Sequence, residues 1–111
     1  MSDAQQSLQD QACILRALVR RKTRRLRNNG SLVAWPTVLI ATELTMALED
    51  LESCVETGDL ATIVLICQRS LTFPTIRKIP FSRHDQSVAR VTVAKILARV
   101  AEWLHFRGAS N

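Results

Sequence analysis

The sequence predicts an all-α domain: a small bundle of about four helices with an extended, proline-bounded crossover before the last. Three observations predict it. Apolar residues recur at three- and four-residue spacing through long stretches, the period of a helix that buries one stripe. Gly30, Pro36, Gly58, Pro74 and Pro80 fall between those stretches and punctuate them. Only one segment, 60–67, carries a strand-like β-branched run, and a lone strand has nothing to pair with. At 111 residues the chain reads as one domain, 1–111, with about 1–4 and 108–111 as frayed tails. Its 47% hydrophobic content suits a globular core of limited size, so a homodimer that buries more surface is expected.

The first helix starts at Ser2 or Asp3, either of which can cap, and runs to about Asn28. Leu8, Ala12, Leu15, Val19 and Leu26 fall in one narrow arc of it. Asn28-Asn29-Gly30 supplies a C-cap and turn, because Asn and Gly tolerate positive φ. After a short connector, 31–35, Pro36 suits the first position of a second helix. Leu44, Leu48, Leu51 and Val55 form its inward face with Ile40 and Ala41 in support. Thr57-Gly58-Asp59 ends that helix and caps a third, about 60–71. Periodicity alone does not separate helix from buried strand there, but the Asp59 cap favours helix.

Residues 72–81 contain Pro74 and Pro80 and read as an extended crossover anchored by Phe73, Ile76, Ile79 and Phe81. Ser82-Arg83-His84-Asp85 resembles a capping box with Asp in the usual Glu or Gln place. The last helix then runs to about Phe106. Its apolar face is Ala89, Val93, Ile96, Leu97, Val100 and Leu104, with Lys95 and Arg99 nearly opposite.

Charge is segregated along the chain. Residues 16–27 hold seven cations and no acid, six of the seven being arginine. From Asn28 to Gln68 there is no Lys or Arg but there are six acids: Glu43, Glu49, Asp50, Glu52, Glu56 and Asp59. From Arg69 onward eight cations face only Asp85 and Glu102. The net charge of +5 therefore comes as basic, acidic, basic blocks, and it favours anionic partners. On a helix Arg16, Arg20, Arg24 and Arg27 share a face, with Arg21 and Arg25 on the other shoulder of the apolar arc. Such a row spans roughly 16 Å and suits successive phosphates, since each guanidinium offers a planar fork of donors. Arg77 with Lys78, and Lys95 with Arg99, are further candidate phosphate contacts.

Catalytic signatures are lacking. The sequence has no nucleophile elbow, glycine-rich phosphate loop or His-Glu-x-x-His, so no enzyme activity is expected. His84 beside Asp85 and the distant His105 read as surface residues. Cys13, Cys54 and Cys67 are too far apart for a zinc site and read as buried, reduced thiols, so neither metal nor cofactor is expected. The polar residues 2–6 do not resemble a secretory leader, and no apolar run reaches membrane-spanning length. The expected location is inside the cell, in cytoplasm or nucleus, without membrane insertion.

Nucleic acid is the favoured partner. The chain has no tyrosine, and Trp35, Phe73, Phe81 and Phe106 read as apolar anchors; Trp103, off the main apolar face, is the expected stacking or interface ring. Few stacking rings and many arginines point to the backbone of structured or duplex RNA, without a base code. The Arg16–Arg27 run resembles the arginine-rich motifs of RNA-binding peptides. The wider profile, small, helical, arginine-rich and without enzyme motifs, resembles viral accessory proteins such as RNA-silencing suppressors and host-interaction factors. The alternative is a protein–protein adaptor whose basic run is a nuclear-import or docking signal.

Overall fold

The computed structural model describes residues 2–29 and 34–109, with side chains through Phe106. Five helices follow in order: α1 (Asp3–Asn28), α2 (Trp35–Thr57), α3 (Leu60–Ser70), α4 (Phe73–Arg77) and α5 (Arg83–Ala109). No strand occurs among the described residues, so the 60–67 run is helical, and the all-α bundle expected from the sequence is the fold.

Each boundary has a local cause. Ser2 and Gln5 form a reciprocal capping box at the start of α1. At the far end Asn29 caps α1 in the right-handed region; Gly30 and the connector 31–33 lie outside the described residues. Pro36 sits in the first turn of α2, where a missing N–H costs nothing. Gly58 closes α2 at φ 77°, and its N–H reaches back to the Val55 carbonyl at 3.3 Å. Asp59 then accepts from the Thr62 backbone N–H at 3.2 Å and from the Thr62 hydroxyl at 2.6 Å. Those two bonds hold its carboxyl below the usual range.

The crossover differs from the expected extended segment by one helical turn. Thr72 accepts from the Thr75 N–H, and Pro74 fits the first turn of a helix, so Phe73–Arg77 coils before the chain straightens towards Pro80. Proline at a helix entry permits what proline inside a helix forbids. Ser82 caps α5 through the Asp85 N–H at 3.2 Å.

α1 and α2 form an antiparallel hairpin whose register is fixed by polar reach. Gln5 Nε2 donates to the Val55 carbonyl at 3.0 Å and Gln9 Nε2 to the Glu52 carbonyl at 3.2 Å, while Arg27 at the other end lies beside Thr42. α5 packs against α1, α3 and α4. Leu8, Leu15, Val19, Leu44, Leu48, Leu51, Ile63, Ile76, Ile79 and Ile96 meet in one core, together with Ala89 and Val93. Buried Thr23 and Thr92 donate to the carbonyls four residues back, which satisfies their hydroxyls inside it. The result is a rod of 53 × 23 × 21 Å. Among the described residues no helix is long and apolar enough to cross a membrane.

Several expectations about single side chains change, three of them away from the arginine run and its grooves. Leu104, read as core, is exposed near the end of α5, past the last core residue of that helix, Val100. Trp103, read as an outward ring, is half-buried and packs against the core. Cys13 is exposed on the outer side of α1, whereas Cys54 is half-buried and Cys67 buried. Burial pushes the Cys67 thiol up to about 11, and burial with nearby Asp59 and Asp50 raises Cys54.

Candidate nucleic-acid interface

The arginine run occupies the last three turns of α1, and the hydrophobic residues threaded through it decide where its cations point. Leu15, Leu18, Val19 and Thr23 are buried, so the helix cannot rotate and the arginines between them are turned outward. Arg20, Arg21, Arg24, Arg25 and Arg27 are exposed, and Lys22 is half-buried. Among the described residues, no carboxylate lies within ion-pair distance of any of these six cations. Their position at the helix C-terminus is itself favourable, because the last carbonyls carry partial negative charge.

Arg16 behaves differently. Its Nε donates to Glu52 Oε2 at 2.6 Å and its Nη2 to Glu52 Oε1 at 3.3 Å, a two-pronged pair between α1 and α2. The two side chains are 25% and 18% exposed. The hydrogen bond with Glu52 raises the Arg16 pKa more than partial burial lowers it. Arg16 is thus a strut of the hairpin, and the free row begins at Arg20.

Arg20, Arg24 and Arg27 line one wall of an open groove of about 270 Å³ between α1 and α2. Thr42, Thr45, Met46 and Glu49 form the other. Arg27 Nη2 makes a long contact of 3.5 Å to Thr42 Oγ1. Beside this groove α2 leaves three large apolar side chains in solvent: Trp35 at 53%, Leu39 at 56% and Met46 at 59% exposure. They are spaced by 4 and 7, so they share a face of α2 away from its buried leucines. Trp35 is therefore an exposed ring and not the anchor read from the sequence. The spacing was visible in the sequence; the buried set Val38, Ala41, Leu44 and Leu48 shows which face it leaves out.

The C-terminal cations do not gather into one second row. Arg99 is tied down: its Nε donates to Ser7 Oγ at 3.1 Å and its Nη1 to both oxygens of Glu102 at 3.0 and 3.1 Å. Lys95 is exposed one turn earlier. Arg77 and Lys78 are exposed at the end of α4, and Lys78 lines a small cleft with Arg69 and Glu43. Arg83 and Arg90 line a larger cleft with Phe73 and Phe81. These two clefts and the α1–α2 groove share no lining residue. Phe73 is 42% exposed, again not the expected anchor, because α4 turns it off the core while Ile76 takes the buried position.

No protein-family model, curated protein or solved structure matches this chain.

Proposed function

We propose that the protein is a non-enzymatic RNA-binding protein that grips the backbone of structured or duplex RNA through the exposed arginines of α1. One observation carries this reading. Arg20, Arg21, Arg24, Arg25 and Arg27 stand in solvent on a helix fixed by its buried face, with no carboxylate partner among the described residues. A helix already fixed by its buried face confines the order lost on meeting phosphates to the arginine side chains, and each released counterion adds to affinity. From Arg20 to Arg27 the row covers roughly 10 Å of helix axis, enough for neighbouring phosphates. Backbone contact of this kind fixes position without reading sequence.

Titration of the purified protein against duplex RNA, single-stranded RNA and duplex DNA at two salt concentrations tests the proposal. Preference for duplex RNA that weakens steeply with salt supports it. Absence of binding to all three at low salt overturns it, and equal binding to heparin reduces it to general polyanion affinity.

The exposed Trp35, Leu39 and Met46 favour a second reading, a docking face for another protein. Apolar side chains beside a cationic groove suit an amphipathic helix with acidic flanks. A pull-down with Arg24→Glu and Arg25→Glu separates the two. Unchanged partner recovery with lost RNA binding assigns the arginines to RNA.

A further inference from the structure

The cleft between α4 and the first half of α5 brings aromatic rings and arginines together. It is open, about 790 Å³ in volume, and lined by Phe73, Phe81, Arg83, Gln86, Arg90 and Val91, among others. No carboxylate lines it, and neither arginine has an ion-pair partner among the described residues. The Arg90 guanidinium carbon sits 5.9 Å from the Phe73 ring centroid, within cation–π range. Phe73 keeps 42% of its surface exposed with Arg90 in that place, so ring area remains for a planar partner. Arg83 and Arg90 are seven residues apart on α5, two turns along one side of the helix, or roughly 10 Å.

We infer that this cleft is a binding site for a single unpaired nucleotide, whose base stacks on the part of the Phe73 ring that Arg90 leaves uncovered and whose phosphate is held by Arg83. The chemistry follows from the lining. An aromatic ring beside a guanidinium plane is the platform on which splayed-out bases stack, whatever their identity. A second guanidinium about two turns away suits an anion attached to that base rather than another ring. Gln86 offers both a donor and acceptors for a base or sugar edge. The site rests on the RNA-binding reading and deepens it: α1 holds backbone without base contact, whereas this cleft accepts a nucleotide at a loop, bulge or end.

Nuclear magnetic resonance on the full chain tests it, with adenosine 5′-monophosphate and inorganic phosphate titrated separately. The mononucleotide is expected to shift the Phe73 ring and residues 83–94 saturably, with ring-current shifts that phosphate does not produce. Phe73→Leu, at a half-exposed position, is expected to weaken mononucleotide binding at least fivefold while phosphate shifts persist. Identical shifts with both probes, or unchanged mononucleotide affinity in Phe73→Leu, overturn the site. Phe73→Leu and Arg24→Glu, each assayed on blunt duplex RNA, keep the readings apart. Duplex binding that survives loss of the cleft leaves the α1 reading standing. Saturable mononucleotide shifts without any duplex binding leave the cleft and remove α1.

Discussion

Among single residues, Arg16 shows how one hydrogen-bonded pair divides an apparently uniform run. By sequence spacing it belongs with Arg20, Arg24 and Arg27, and nothing local distinguishes it. Its partner Glu52 is 36 positions away, so the pairing is created by the α1–α2 register and is invisible to a helical wheel. Arg16→Ala should lower stability by about 1 kcal/mol in urea unfolding, since it leaves a partly buried carboxylate without its cation. The cysteines separate by environment as well. A thiol-labelling time course at pH 8 should modify Cys13 first and leave Cys67 protected until the protein unfolds, because Cys67 is buried and its thiol is raised to about 11. Trp35 and Phe73 escaped the sequence reading because an aromatic ring within an apolar stretch looks the same whether the helix turns it inward or out.

At the level of elements, helix ends were legible where one side chain performs the cap, as Asp59 does for α3. The folded state holds the Asp59 carboxyl below its ordinary value, so its contribution is present above the unfolded pKa and is lost as pH falls through the lowered one. The melting-temperature deficit of Asp59→Ala should therefore be largest near neutral pH and shrink in strong acid. Gly58 is the other hinge of that junction. A Cβ there meets no atom within 4 Å, so Gly58→Ala tests backbone conformation alone. At φ 77° it should cost about 1 kcal/mol by chemical denaturation. The short α4 was not legible for a physical reason: two prolines six residues apart break a long helix but allow a single turn with the first of them at its entry. Period likewise left 60–67 ambiguous, and only the cap and the neighbouring helices decide it.

For the molecule as a whole, the order basic, acidic, basic was plain in the sequence, but its meaning depended on contacts between distant segments. The acidic middle does not neutralise the arginine row: Glu52 takes Arg16, Glu49 lines the groove without reaching ion-pair distance, and the exposed cations from Arg20 onward stay clear of carboxylates among the described residues. The C-terminal cations, among them the further candidate contacts, are split between an anchored Arg99 and two separate clefts. That arrangement leaves one end of α1 as an exposed cationic face, and the RNA contact proposed for it is electrostatic. The most direct test is the slope of log affinity for duplex RNA against log salt, measured for the native chain, Arg24→Ala and Arg16→Ala. Arg24→Ala should bind duplexes of unrelated sequence equally more weakly and with a slope shallower by about one, while Arg16→Ala keeps the native slope. An unchanged slope for Arg24→Ala, or a loss as large for Arg16→Ala, would contradict the assignment of RNA binding to the exposed arginines of α1.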